Sequence, residues 1–178
     1  YFSLKEESIM SKSVKKLTVA GLLIALGVAA SPLYIPIGAS KCFPVQHLVN
    51  VLAAVLLGPW YGVSMAFVTS LLRVLIGTGS LLAFPGSMCG ALLAGLLYKY
   101  GGGRISIACV GEVFGTAVIG GMLAYPVALY LLGNADAALF AYVLPFGVST
   151  LGGTIIAVVV LAACKRLGLT EAFRHGGA

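Results

Sequence analysis

Glu112 is the one acidic residue that lies deep inside a long apolar run of this 178-residue chain. A carboxylate in such surroundings is costly to bury, and within a membrane segment it marks a functional site by default. We expect it to accept hydrogen bonds at the floor of a pocket, or to titrate. Structural pairing with Arg73, a cation in another apolar run, is the alternative interpretation.

Other polar and aromatic side chains fall toward one end of the apolar runs, when each run is drawn as a helix rising about 1.5 Å per residue. Hydrogen-bonding groups come from His47, Asn50 and Ser87, and Arg73 lies near the same end. Three aromatic rings join them, those of Phe84, Tyr125 and Tyr142. A pocket at this end would stack a flat ligand on the rings and bind its polar atoms through the hydrogen-bonding groups.

Plainer interpretations of these residues are equally open from the sequence. Arg73 could extend to lipid headgroups or form a salt bridge with Asp136. His47 could be an interfacial histidine with its hydrogen bonds satisfied, and Asn50 could join two helices. The tyrosines of the last two runs could form an interfacial aromatic belt, namely Tyr125, Tyr130 and Tyr142.

A proline-rich loop over residues 32–44 separates the first two apolar runs. Its three prolines forbid a regular helix, and we expect the loop to act as a lid over the pocket. The lid residues are expected to be Lys41, Cys42, Phe43 and Gln46.

Catalytic signatures are nearly absent. Cys42 and His47 are five residues apart, so a thiolate–imidazole pair is conceivable. No oxyanion signature accompanies them, and the sequence has no Walker A, HExxH, GxSxG or paired-carboxylate motif. We therefore expect no enzyme, no cofactor and no metal site, and a chain without its own ATP site is a poor candidate for a self-sufficient pump.

Composition identifies the elements that position these residues. Hydrophobic residues make up 60% of the chain and charged residues 9%, with a mean hydropathy of +1.08. Too little polar surface exists to coat a soluble globule, whereas about six spans of roughly 20 residues fit the length. We predict an all-α, polytopic membrane protein with six transmembrane helices, at about 14–31, 45–57, 61–76, 81–98, 105–132 and 138–164.

The cations set the predicted orientation. Apart from Lys41 and Arg73, every lysine and arginine lies before the first span, between the fourth and fifth spans, or after the last span. The positive-inside rule then places both termini in the cytoplasm of a prokaryotic cell, and it accounts for the net charge of +6 without nucleic acid. The domains become 1–13 as a cytoplasmic segment or extension, 14–166 as the membrane domain, and 167–178 as a cytoplasmic tail.

Small residues recur at helical spacing in three spans. Gly21, Ala25 and Ala29 form one stripe, and the others are Gly86, Gly90 and Ala94, and Gly111 with Gly115. Such stripes let helices approach closely in lipid. We expect packing inside the bundle to explain the stripes on the fourth and fifth spans. For the stripe on the first span, docking of a partner subunit is an alternative to packing inside the bundle.

Two segments carry a resemblance to a known family: KCFPVQHLVNVLAAVLLGPWY at 41–61 and LLAFPGSMCGALLAGLLY at 81–98. Over about residues 10–166 the chain resembles the ThiW family of substrate-binding S components of energy-coupling factor (ECF) transporters. The resemblance implies capture of a vitamin precursor from outside, with a membrane coupling protein and two cytosolic ATPases as partners. The resemblance also implies that a small-residue motif on the first span docks on the coupling protein, and its common form is AxxxA. Ala25 and Ala29 match this form, whereas Gly21 departs from it.

The substrate that the resemblance implies is hydroxyethylthiazole, a thiamin precursor. Another vitamin or precursor, such as intact thiamin, is the alternative within the same class, and a small membrane enzyme is the alternative from another class. The expected substrate-binding residues are His47, Asn50, Arg73, Phe84, Ser87, Glu112, Tyr125 and Tyr142.

Overall fold

The computed structural model describes residues 2–37 and 40–166. Over this part the chain forms six helices and one short β-hairpin, which confirms the all-α prediction. The predicted tail, 167–178, lies outside the described residues. The elements are α1 (Phe2–Ala29), β1 (Ile35–Ile37), β2 (Ser40–Cys42), α2 (Pro44–Leu56), α3 (Pro59–Leu75), α4 (Ala83–Tyr100), α5 (Ile105–Leu131) and α6 (Val143–Arg166).

Two of these helices, α5 and α6, are long and apolar enough to cross a membrane, and α2 is a shorter apolar helix. Large apolar side chains lie on the outside of the bundle: Leu22, Val110, Ile155 and Val159 are each more than 60% exposed. A soluble monomer rarely exposes so much apolar surface. The outer face of the bundle is therefore suited to lipid.

Helix starts differ from the sequence prediction at four places. α1 begins at Phe2 rather than near residue 14, and α4 begins at Ala83 rather than near residue 81. α3 begins at Pro59, two residues early, because the fixed φ of proline suits the first helical turn. α6 begins at Val143 rather than near residue 138. Before it, the Asn134 side chain accepts a hydrogen bond from the Asp136 N–H at 3.2 Å, a local turn that competes with helix.

The lid loop contains regular structure that the sequence did not predict. β1 and β2 pair antiparallel, with Ile35 opposite Cys42 and Pro36 opposite Lys41. Proline is tolerated at such an edge because its missing N–H does not have to enter a ladder. Gln46 does not belong to the loop, since it lies in the first turn of α2.

Glycines bring α4 and α5 into backbone contact. A Cβ built on Gly111 would lie 2.7 Å from the Leu93 carbonyl oxygen, and one on Gly115 would lie 2.6 Å from the Cys89 carbonyl oxygen. Only hydrogen fits at these positions. The packing role predicted for the small residues of these two helices is confirmed.

The small-residue stripe of α1 faces away from the bundle. Ala20 is 4% exposed and belongs to an apolar cluster with Val49 and Met65, so this side of α1 packs inward. Gly21, Ala25 and Ala29 are exposed, and a Cβ on Gly21 would meet no atom within 4 Å. Packing within the bundle therefore does not account for this stripe.

α5 is not a uniform α-helix. Gly115–Gly120 and Val127–Leu131 are π-helical, and they flank an α-helical turn at Gly121–Pro126. Pro126 stands at the entry to the second π segment, where it cannot donate the usual backbone hydrogen bond. π segments are frequent at functional sites, and the first one follows directly on the turn that carries Glu112.

Candidate functional site

A cavity of about 530 Å³ lies at the end of the bundle where α3 ends and α4 begins. Its walls come from the hairpin, the start of α2, the α3–α4 and α5–α6 loops, and the start of α6. The volume falls in the range typical of small-molecule sites. The sequence-predicted residues that line it are Lys41, Phe43, Gln46, His47, Arg73, Ser87 and Tyr142.

A buried hydrogen-bond network centred on Glu112 lies beneath the cavity. Glu112 is 0% exposed, and its Oε1 lies 2.9 Å from His47 Nδ1, 3.0 Å from Asn50 Nδ2 and 3.2 Å from Thr116 Oγ1. Asn50 Nδ2 also donates to the Ser87 carbonyl oxygen at 3.1 Å. The network thereby joins α2, α4 and α5, with α4 held through Asn50.

The partner of Glu112 corrects the sequence interpretation. Glu112 pairs with His47 and not with Arg73. This contact occupies His47 Nδ1, so the ring's Nε2 is left for a ligand. Glu112 thus fixes how His47 meets the cavity.

Arg73 is buried in the cavity wall, with 1% of its surface exposed. Its Nη1 donates to Gln46 Oε1, and its guanidinium lies 4.0 Å from the centre of the Phe43 ring, a cation–π arrangement. The predicted extension to lipid headgroups is wrong, because the side chain turns inward. The predicted salt bridge to Asp136 is also wrong, because Asp136 is exposed in the α5–α6 loop.

The hairpin is fastened to α6. The backbone N–H of Phe43 donates to Ser149 Oγ at 2.8 Å, and the Cys42 thiol lies 3.5 Å from the Pro145 carbonyl oxygen. Burial raises the pKa of the Cys42 thiol, which opposes formation of a nucleophilic thiolate. The lid residues thus hold the cavity wall in place, and Cys42 is unsuited to chemistry.

One family model matches this chain. It is described as thiamine-precursor transporter protein (ThiW), and it covers residues 17–167. The chain belongs to the ThiW family. This is a family of transporters, so the alternative of a small membrane enzyme is wrong. No curated protein and no solved structure matches the chain.

Several of the predicted residues do not reach the cavity of this ThiW-family protein. The Phe84 ring packs on Phe67 at a centroid distance of 5.5 Å, and neither Phe84 nor Tyr125 lines the cavity. Asn50 and Glu112 lie in the network below it, one layer away from a ligand. The ring beside Tyr142 is that of Phe146, at 6.2 Å.

Thr116, Phe146 and Ser149 are among the lining residues that were missed from the sequence. Thr116 is four residues after Glu112, which places both on the same helix face. Ser149 is a polar residue within the last apolar run. Those two could have been found by following polar residues around each helix, whereas Phe146 carries no such signal.

Gly90 makes the space that Glu112 occupies. A Cβ at this position would collide with Thr116 Oγ1 and approach Glu112 Oε2 to 2.8 Å. We expect Gly90→Ala to lower the free energy of unfolding by about 1–3 kcal/mol through overpacking. Unfolding of the purified protein in detergent measures the change.

Gly21→Ala is the matched control for that variant, since its added methyl group would meet no atom within 4 Å. This control is expected to unfold no more easily than the wild-type protein. Equal stability of Gly90→Ala and Gly21→Ala would contradict the packing described around Glu112.

Proposed function

We propose that this ThiW-family chain is the substrate-capture (S) subunit of an ECF-type vitamin importer and that it binds hydroxyethylthiazole. In this proposal six helices span the cell membrane, residues 14–166 form the membrane domain, and the flanking segments 1–13 and 167–178 are cytoplasmic. A membrane coupling protein and two cytosolic ATPases supply the energy, since the sequence has no Walker A motif.

The position of the cavity is the observation that carries the proposal. It lies among the loops that follow α3 and α5, while the exposed cations Lys99, Arg104 and Lys165 lie at the other end of the bundle. By the positive-inside rule the cationic end is cytoplasmic. The cavity then faces the outside, as capture of an external nutrient requires.

The lining suits a small aromatic heterocycle with a polar arm. Tyr142 and Phe146 offer rings for stacking, and His47, Ser87 and Thr116 offer hydrogen-bonding groups. Sites for small molecules combine an apolar wall with a few placed polar groups in this way. His47 Nε2 is suited to form a hydrogen bond with a ligand hydroxyl.

The exposed face of α1 supports the proposed assembly. Ala25 and Ala29 stand one turn apart and are exposed, so another helix could approach the backbone closely there. Apolar side chains flank them, with Leu22 67% and Leu26 45% exposed. This face is proposed as the docking surface for the coupling protein.

Calorimetry with the purified chain in lipid nanodiscs tests the substrate. We expect hydroxyethylthiazole to bind at a one-to-one ratio and thiamin to compete weakly. Tyr142→Ala should weaken binding by about tenfold through lost stacking. Tyr130→Ala is the matched control, because Tyr130 is 79% exposed and lies outside the cavity lining.

Two results would contradict this assignment. Tighter binding of thiamin than of hydroxyethylthiazole would show that the alternative substrate, thiamin, is the one that this chain captures. Equal losses from Tyr142→Ala and Tyr130→Ala would place the ligand elsewhere than in this cavity.

A further inference from the structure

Arg73 is a buried cation that no described acidic side chain neutralises. It is 1% exposed, and its Nε and Nη2 have no hydrogen-bond partner among the described residues. Glu112, which is buried in this part of the chain, contacts His47 instead. A buried charge without an opposite charge is unfavourable, so Arg73 is set up for a partner that arrives from outside the chain.

The two unpartnered groups of Arg73 form one donor edge. Nη1 is held by Gln46 Oε1, and the Phe43 ring covers the guanidinium plane at 4.0 Å. In a planar guanidinium the Nε–H and one Nη2–H point the same way, as two parallel donors. Such an edge matches two oxygens of a single carboxylate or phosphate group.

The charge of the cavity wall favours an anion as well. Lys41 is a second cation in the lining, and no described aspartate or glutamate lines it. Glu112 lies below the cavity with its Oε1 bonded to His47, and Asp136 is exposed away from the lining. An anionic oxygen group is therefore attracted to the Arg73 side of the cavity.

We propose that the cavity takes a thiazole whose side arm ends in an anionic oxygen group, held side-on by Arg73. A phosphate monoester and a carboxylate share this chemistry. The inference rests on the proposed function, because it concerns the same cavity and the same ring, and it adds the charge of the substrate. A free hydroxyl can accept hydrogen bonds from Arg73 but brings no negative charge to offset the buried guanidinium.

Affinities of three related compounds test the proposal on the full chain in nanodiscs. They are hydroxyethylthiazole, its phosphate monoester, and the corresponding thiazole acetic acid. We expect the better of the two anions to bind at least about tenfold more tightly than the alcohol, because charge-assisted bidentate hydrogen bonds are stronger than neutral ones. Whether the phosphate or the carboxylate binds best identifies the source of the anion.

Variants of Arg73 show whether this residue recognises the negative charge of the ligand. Arg73→Gln should remove the preference for the anion, and Arg73→Lys should keep only part of the preference, since lysine is a point charge. Arg104→Gln, at an exposed cation near the other end of α5, should keep the full preference. The wild-type affinities decide the question even where a variant fails to fold.

Each pattern of affinities has a separate meaning. Equal or tighter binding of the alcohol overturns the anion proposal and leaves the proposed function standing. Binding of the anions alone supports the anion proposal and removes hydroxyethylthiazole as the substrate. Binding of none of the three compounds overturns both, and an unchanged preference in a folded Arg73→Gln variant overturns the role of Arg73.

Discussion

Glu112→Ala is expected to abolish ligand binding and to lower the free energy of unfolding by about 3–5 kcal/mol. The substitution removes the acceptor shared by His47, Asn50 and Thr116, and it leaves their buried donors without a partner. His47 then loses the bond that orients its ring toward the cavity. Calorimetry and thermal unfolding of the purified variant measure the two effects.

Glu112→Gln separates charge from shape at the same position. Its amide oxygen can still accept hydrogen bonds, so we expect the fold to survive with a smaller loss of affinity. Asp136→Ala is the control, because Asp136 is an exposed acidic residue outside the cavity lining. Full ligand affinity in Glu112→Ala would show that the network does not position His47.

Replacing Ala25 and Ala29 together by leucine is expected to reduce uptake by about a hundredfold or more while leaving ligand binding unchanged. Both residues are exposed on α1, so leucine side chains would not disturb the bundle. They would hold a docking helix away from the α1 backbone, and close approach is what small residues provide in lipid. Uptake of labelled substrate and co-purification with the coupling protein and ATPases measure the effect.

The matched control for this pair lies on another exposed helix face. Ala162 and Ala163 of α6 are exposed alanines outside the α1 stripe, and their replacement by leucine should preserve uptake. If the Ala25→Leu, Ala29→Leu variant still co-purifies with the proposed coupling protein and ATPases, the docking surface lies elsewhere than on α1. Loss of ligand binding in that variant would mean that the bundle itself had been damaged.

The helices could be predicted from sequence because each depends on local signals. Long apolar runs, prolines and glycine turns fix where a helix begins and ends, and α2, α3, α4 and α5 start within two residues of their predicted positions. α1 begins earlier than predicted, at Phe2, because the helix continues into the polar segment before the apolar run. α6 begins later, because the turn at Asn134 and the segment after it hold residues that are apolar enough to continue a span. Local composition therefore identified the helices but not every boundary.

The site could be predicted only in part, because it depends on how each helix is rotated about its axis. The pair of His47 with Glu112 joins residues 65 apart, and no local pattern specifies such a contact. Arg73 shows the same limit, since depth along α3 suggested a lipid-facing end while rotation turned the side chain inward. Phe84 and Phe146 are the same type of residue, so the sequence does not distinguish them. Packing alone decides that Phe146 lines the cavity.

The π segments of α5 explain another part of the difference between the predicted site and the site in the structure. A π turn holds more residues than an α turn, so side chains after Gly115–Gly120 are rotated from the positions that a 3.6-residue period assigns. Tyr125 follows this segment and does not line the cavity. The sequence prediction placed Tyr125 by its depth along the helix, which takes no account of this rotation.

The glycine contacts between α4 and α5 constrain how a bound molecule is released. Packed helices slide past one another by small adjustments of the side chains between them, and at Gly111 and Gly115 no such layer exists. We therefore expect α4 and α5 to move as one rigid body. A helix movement that empties the cavity is then expected among the remaining helices, with the hairpin carried along by its bonds to α6.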